Sequence, residues 1–302
     1  MEKKLISLVT GGAGFIGSHL VDALIEKGDD VLVIDNLATG IKENVNPEAK
    51  FFEVDIRNLE KIEPIFKNVD FVFHLAALPK IPLSVEKPIE TNDVNVNGAL
   101  NVLVAARNSG VKKLIFSSSS SVYGEQEQLP LKENMVCHPL SPYALQKYAA
   151  EFYCKIFSEI YGLATISLRY SSVYGPRQPK EGTYAPVMSV FLEQRKEGKS
   201  LTVVGDGKQT RDFTHVFDVV RANLMVAESE KTGRGEIINI AGGKEYTIKE
   251  IAEMIGDEIE YIDKRKGEVF RNFVDITKAK EWLDWEPKIK LEEGIKNLLK
   301  SL

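Results

Sequence analysis

Leu5-Ile6-Ser7-Leu8-Val9-Thr10-Gly11-Gly12-Ala13-Gly14-Phe15-Ile16-Gly17, followed further on by Val31-Leu32-Val33-Ile34-Asp35, decides the fold. The apolar run Leu5 to Val9 reads as a buried parallel strand. The glycines permit a tight turn and the close approach of a pyrophosphate, and Phe15 opens a helix whose N-terminal amides favour an anion. The second apolar run carries Asp35 to a strand end, where its carboxylate accepts hydrogen bonds from both hydroxyls of an adenosine ribose. The same charge repels the extra phosphate of NADP, so NAD is the expected cofactor. A glycine-rich turn alone also serves as a plain strand-to-helix connection. The strand before it, the helix after it and an acid 18 residues beyond Gly17 together point to a dinucleotide site.

Working outward, the 302 residues are 43% hydrophobic and 27% charged with a formal net charge of −5, enough for one large or two modest cores and unfavourable for nucleic acid. Cys137 and Cys154 are the two cysteines and have no metal-like spacing. The N-terminus lacks the long apolar segment of an export signal, and no apolar run reaches the roughly 20 residues that cross a bilayer. A reduced, cytoplasmic protein without a membrane partner is therefore expected.

Short apolar strands alternate with helical patterns at Phe51 to Val54, Phe71 to Leu75, Leu114 to Phe116 and Ala164 to Leu168, which predicts an α/β protein with a parallel sheet. Two long helices are predicted, roughly Thr91 to Asn108 and Pro142 to Tyr161, the second with Ser141 as N-cap and Pro142 at its first position. After Tyr170 the alternation breaks down into Gly, Pro and charged residues through Gly175 to Gly207. The expected architecture is a doubly wound parallel sheet (Rossmann) over residues 1–172, with a return segment near 213–242. Residues 173–302 mainly build a smaller, discontinuous α+β substrate domain over the carboxyl edge of the sheet, where ligands of such sheets bind.

The chemistry falls on the second long helix. Tyr143 alone among the ten tyrosines has a lysine four residues on, Lys147, and a helix puts both on one face. That spacing arises by chance about as often, so position decides. The pair opens a helix that follows the fifth strand, which ends in Ser117-Ser118-Ser119-Ser120-Ser121 before Val122-Tyr123-Gly124. A phenol of pKa about 10 is a poor base at neutral pH, but a neighbouring ammonium stabilises the phenolate. Activated in this way, Tyr143 takes a proton from a secondary alcohol while a nicotinamide takes the hydride, with a serine hydroxyl polarising the same oxygen. The alternative is a Tyr143 that merely packs its ring on an amphipathic helix, and a serine run that is a polar turn.

Over essentially its whole length the chain resembles the extended short-chain dehydrogenases/reductases of the nucleotide-sugar epimerase and dehydratase type. The motifs that carry the resemblance occur in order: Gly11 to Gly17, Asp35-Asn36-Leu37, Asp55-Ile56, His74-Leu75-Ala76-Ala77, Asn95-Val96-Asn97-Gly98, the serine run, Tyr143 to Lys147, Arg169-Tyr170, Gly175-Pro176-Arg177-Gln178, and Gly205 to Phe213. The resemblance implies a catalytic set of Tyr143, Lys147 and Ser119. It assigns to the cofactor Gly11, Gly14, Phe15, Ile16, Gly17, Asp35, Asn36, Asp55 and Ile56 (flanking the adenine), Leu75, Ala76, Ala77, Asn95, Ser117, Tyr143, Lys147 (on the nicotinamide ribose), Tyr170 and Val173. It assigns to a UDP-sugar Arg211 and Arg265 on the pyrophosphate and Glu268 on the uridine ribose, with Ser119, Ser172, Lys80 and Asn272 near the sugar. It also implies a homodimer built on the two long helices.

Dehydratases of this type carry Asp-Glu directly before Val-Tyr-Gly and decarboxylating relatives carry Glu, whereas this chain has Ser120 and Ser121. Elimination is disfavoured, leaving oxidation at carbon 4, rotation of the 4-keto sugar and return of the hydride to the opposite face. The resemblance thus implies a UDP-hexose 4-epimerase that recycles bound NAD. A UDP-glucuronate-type epimerase, a 4-keto-sugar reductase and a nonenzymatic NAD-binding regulator are the alternatives. A bulky Tyr four positions beyond Glu268 restricts such epimerases to glucose and galactose; Asn272 there implies room for an N-acetyl group. Two features depart from the pattern. Ser171-Ser172 replaces the usual Phe-Asn, and Lys80 stands where a related branch has a small Ser, placed either to pair with a carboxylated sugar or to point to water. His74 is expected to satisfy a local hydrogen bond, and Trp282 and Trp285 to pack.

Overall fold

The computed structural model describes residues 4–179, 186–263 and 269–302. Up to Tyr170 strands and helices alternate: β1 (Ile6–Thr10), α1 (Phe15–Lys27), β2 (Asp30–Asp35), β3 (Lys50–Glu53), α2 (Leu59–Ile62), β4 (Phe71–His74), α3 (Ile81–Glu86), α4 (Pro88–Asn92), α5 (Ala99–Asn108), β5 (Lys113–Ser119), α6 (Pro142–Tyr161) and β6 (Thr165–Tyr170). Beyond it come β7 (Val173–Tyr174), α7 (Val187–Lys196), β8 (Leu201–Val204), β9 (Thr210–Asp212), β10 (Thr214–His215), α8 (Val216–Glu228), β11 (Arg234–Ile240), β12 (Glu245–Thr247), α9 (Ile248–Ile255), β13 (Ile259–Ile262), α10 (Thr277–Leu283) and α11 (Leu291–Lys300).

Seven strands form one parallel sheet in the order β11-β6-β5-β4-β1-β2-β3. This is the expected Rossmann arrangement. Its strand order reverses between β1 and β4, and the crevice outside their carboxyl ends is where such sheets hold ligands. Both faces are covered, so the strands are apolar on both sides. On one face lie Leu20 and Leu24 of α1, Val219 and Val226 of α8, and Trp285; on the other, Val102 and Ala106 of α5, Phe157 of α6 and Phe66. Each buried Leu, Val and Phe side chain among these contributes about 1.5–3 kcal/mol relative to exposure. A third cluster, built from Phe191, Val203, Ile251, Leu291 and Ile295, joins α7, α9 and α11 to the short strands beyond Tyr170.

Before it ends in that third cluster, the chain returns to the core of the sheet. Trp285 is fully buried in the sheet's own core, and its indole nitrogen donates to the Asp218 carbonyl at 3.1 Å. The first long helix also differs from expectation. It begins at Pro88 rather than near Thr91 and is broken by a π-helical turn over Asp93–Gly98. Helical periodicity alone does not reveal one inserted residue; such turns occur where side chains must be re-aimed. The second long helix runs over Pro142–Tyr161 as predicted, with Ser141 Oγ accepting from the Ala144 amide at 3.2 Å and Gly162 ending it in the left-handed region. Among the described residues no helix is long and apolar enough to cross a membrane.

Candidate active site

The turn after β1 is shaped to receive a diphosphate. Gly11 has φ +76°, and a Cβ there would stand 2.6 Å from the Ala76 backbone nitrogen. A Cβ on Gly17 would run into the Gly11 carbonyl, so the first turn of α1 rests directly on the glycine turn. Helix α1 starts after Gly14 without a side-chain cap, which leaves the amides of Phe15, Ile16 and Gly17 as donors for an anion. Asp35 lies at the end of β2, its carboxylate accepting from the Ala13 amide at 3.0 Å and the Leu37 amide at 2.8 Å. Burial raises its pKa against those two amides, and lone pairs remain on both oxygens for ribose hydroxyls. Asn36 donates to Asp55 at 2.7 Å, and Arg57 grips the same carboxylate through Nε and Nη2. The Arg57 hydrogen bonds hold Asp55 down to about 2. Sequence reasoning missed Arg57, although an arginine two residues after the acid was the available signal. Ile56 is buried and packs against Gly98. Leu75 and Ala76 leave β4 tied to Thr10, the Leu75 amide to its carbonyl at 3.0 Å and the Ala76 amide to its hydroxyl at 3.4 Å; Ala77 follows them.

The ends of β5 and α6 meet beside this cradle. Lys147 Nζ donates to the Ser117 carbonyl at 2.7 Å, and the Tyr143 hydroxyl lies beside Ser119. Burial pushes Tyr143 up to about 12 against the lowering effect of Ser119, and it pushes Lys147 down to about 8. Below His74 the arrangement is neutral. Burial and then the Lys147 charge lower its pKa to about 3, and Nδ1 meets Thr10 Oγ1 at 2.7 Å, the local hydrogen bond expected of it.

Asn95 lies in the π-helical turn, where its side chain accepts from the Leu78 amide at 2.8 Å and donates to the Leu78 carbonyl at 3.1 Å and to Gln146 Oε1 at 2.8 Å. Gln146 in turn donates to Thr91 Oγ1 at 3.0 Å, and Ser84 Oγ accepts from the Tyr143 amide at 3.0 Å. Asn95 therefore staples the 78–84 segment to the start of α6 with its amide already committed. Lys80 sits between those staples as the N-cap of α3, partly exposed and without an ion pair to any described residue.

Some expected contacts are placed differently. The Tyr170 ring is in the sheet core, its hydroxyl donating to Asn223 at 2.9 Å, so its backbone is what it offers to the crevice. Val173 pairs with Thr214, and its carbonyl accepts from Gln178 at 3.0 Å. Ser172 has φ +32°, a region Asn tolerates better than Ser. Asn272 is buried, accepting from Ser171 Oγ at 2.7 Å and donating to Ser120 Oγ at 3.3 Å. The amide absent at position 172 is thus matched by one held on the neighbouring serine. Arg211 is partly buried with Nη1 on the Thr210 carbonyl at 2.7 Å. Arg265 and Glu268 lie outside the described residues.

The glycine cradle, the uncapped helix and the carboxylate at the end of β2 fit a dinucleotide, and the Tyr143, Lys147 and Ser119 cluster adjoins it. A model of the NAD dependent epimerase/dehydratase family matches residues 7–241, and the chain belongs to that family. Its cofactor is NAD. A putative UDP-glucose 4-epimerase of Methanocaldococcus jannaschii is 47% identical over 300 residues, covering 97% of this chain and 96% of that protein. The crystal structure of UDP-glucose 4-epimerase from Thermotoga maritima with UDP-glucose is 43% identical and superposes with a TM-score of 0.94 over 98% of each chain. UDP-N-acetylglucosamine 4-epimerase from Methanobrevibacter ruminantium M1, in complex with UDP-N-acetylmuramic acid, is 40% identical with a TM-score of 0.93, covering 99% of this chain and 98% of that one.

Proposed function

We propose that this chain is an NAD-dependent 4-epimerase of UDP-hexoses, acting on the glucose and galactose pair and on their N-acetylated forms through a transient 4-keto sugar. The observation that carries the reading is the Tyr143 hydroxyl on Ser119, one turn from buried Lys147, beside Ser120 and Ser121 rather than an acid. Bound NAD supplies the acceptor and donor of one hydride. Tyr143 takes the proton of the 4-hydroxyl and later gives it back; Ser119 hydrogen-bonds the same oxygen, and the Lys147 ammonium stabilises the phenolate. Without a carboxylate at 120 or 121, no side chain there drives elimination. Gly11, Gly14, Phe15, Ile16 and Gly17 hold the cofactor's diphosphate, Asp35 its ribose, and Asn36, Asp55 and Ile56 its adenine end. Arg211, with Arg265 and Glu268, holds the UDP.

The direct test incubates purified protein, without added NAD, with UDP-glucose and separately with UDP-N-acetylglucosamine, and follows the 4-epimers by NMR. Both sugars are expected to turn over. Asn272→Tyr is expected to lower kcat/KM for the acetylated sugar at least tenfold more than for UDP-glucose, because the larger ring takes the space of the acetamido group; equal losses would remove Asn272 from sugar selection. A second reading rests on Lys80, which has no ion pair among the described residues and caps α3, the helix packed on α6. Conversion of a carboxylated UDP-sugar alone would favour it.

The outward side of α6 supports a homodimer. Leu145, Phe152, Ile156 and Ile160 are exposed at spacings of 7, 4 and 4 residues, one apolar stripe on a helix whose other face carries Tyr143 and Lys147. A second copy, packing the same stripe and the adjoining α5 face about a two-fold axis, is the proposed occupant. Phe152→Lys is expected to halve the mass measured by light scattering, and a monomeric wild type would refute the proposal. Cys137 and Cys154 are buried free thiols, consistent with the reducing cytoplasm as the proposed location.

A further inference from the structure

We propose that Glu151, clamped by Arg169 and Ser118, is a positioning residue for Lys147: its buried carboxylate, one helical turn away, favours the lysine ammonium through space and with it the Tyr143 phenolate. The inference rests on the proton chemistry proposed above for Tyr143 and Lys147, whatever the sugar.

Three consecutive residues at the end of β5 are fastened to one face of α6. Ser119 lies beside the Tyr143 hydroxyl, the Ser117 carbonyl takes the Lys147 ammonium at 2.7 Å, and Ser118 Oγ donates to Glu151 Oε1 at 2.5 Å. Tyr143, Lys147 and Glu151 succeed one another at four-residue spacing, so each lies one turn above the last. From β6, Arg169 closes on Glu151 with Nε at 2.9 Å from Oε1 and Nη2 at 2.7 Å from Oε2, a two-point ion pair with both side chains 1% exposed. The Tyr123 ring, 4.5 Å from the guanidinium, holds Arg169 from its other side.

Charge along this line alternates: Arg169 positive, Glu151 negative, Lys147 positive. With Tyr143 neutral the buried set carries one surplus positive charge, which ionisation of the phenol cancels. Isolated buried charges are costly, whereas an alternating row lets each stabilise the next. Among the described residues the titratable groups facing Lys147 are few. On α6 they are Tyr143, Glu151 and Cys154, on β4 His74, and beyond Glu151 on β6 Arg169. Burial keeps the Cys154 thiol neutral by pushing it up to about 12, and it keeps His74 uncharged. Among the described residues Glu151 is thus the anion that favours the ammonium. Arg169 has the complementary task of aiming Glu151 through its two-point contact.

The test compares the full-length holoenzyme with Glu151→Gln, Glu151→Asp and the double variant Glu151→Gln/Arg169→Met. Lysines labelled with 13C at Cε are titrated by NMR, and the Lys147 resonance is identified by its loss in Lys147→Met. The wild type is expected to titrate near 8, and Glu151→Gln at least one unit lower, because Arg169 then faces Lys147 unscreened. The ammonium form is the active one, so turnover falls as pH rises through this value. The alkaline limb of the kcat profile moves down with it, about tenfold per unit. Glu151→Asp keeps the carboxylate and is expected to restore most of the shift, and the double variant removes the surplus charge and reverses it in part. Should Glu151→Gln fail to fold, the aspartate and double variants still rank the lysine by the charge beside it. A Lys147 titration unchanged across the folded variants overturns the proposal. Because that titration needs no sugar, it remains decisive even if every UDP-hexose proves inert.

Discussion

Tyr143→Phe will lower turnover by on the order of 10³-fold or more while the protein keeps its fold and its NAD. The phenylalanine ring fills the same space at a position only 9% exposed, so packing at the start of α6 is preserved. The change removes the oxygen that meets Ser119 and would accept the substrate proton. Burial pushes that phenol up to about 12 even with Ser119 lowering it, so its ionisation depends on a partner that favours the phenolate, the role proposed for Lys147. Replacing the hydroxyl therefore abolishes the proposed base. Cofactor content, read from the absorbance of the acid-denatured supernatant, is expected to match the wild type. Retained turnover would transfer the proton to another group and discard the role given to Tyr143.

Gly17→Ala is expected to have the opposite signature, a loss of bound cofactor with the Tyr143 cluster intact. The added methyl would collide with the Gly11 carbonyl, a backbone atom at the tightest point of the turn. Only a shift of α1 away from β1 relieves that collision, at a cost of about 1–3 kcal/mol for overpacking. The shift also displaces the amides after Gly14 that face the diphosphate. Purified variant is expected to carry little or no NAD and to melt several degrees lower than the wild type. A variant purified with a full complement of NAD would show that this contact does not position the cofactor.

The parts of this molecule that were legible in the sequence are those written in local spacing. The β1 turn, the Asp35 terminus of β2 and the entire span of α6 with its Ser141 cap depend on residues within a few positions of one another. The parts that were not legible join distant segments. The Ser171 to Asn272 bond spans 101 residues and the Asn272 to Ser120 bond spans 152, so nothing in either neighbourhood announces them. Asn272 is consequently a side chain tied at both ends, where size alone suggested free space. Glu151 lay between these extremes. Its four-residue spacing from Lys147 was visible, but its partner comes from β6 and only the folded sheet brings Arg169 to it. The break in the first long helix escaped because one residue added to a turn leaves no mark in a helical spacing, although Asp93–Gly98 is made of weak helix formers.

That extra residue makes chain length, rather than side-chain chemistry, the constrained property of the segment. A deletion of one residue between Asp93 and Gly98 would restore an ordinary helix and rotate everything upstream by about 100° relative to α5. Asn95 would swing away from Leu78 and Gln146 together. Many substitutions on the solvent side of this segment leave the geometry untouched, whereas the smallest change of register dismantles the wall behind the substrate cleft. Descendants of this chain are thus free to vary the segment's letters and are held to their number.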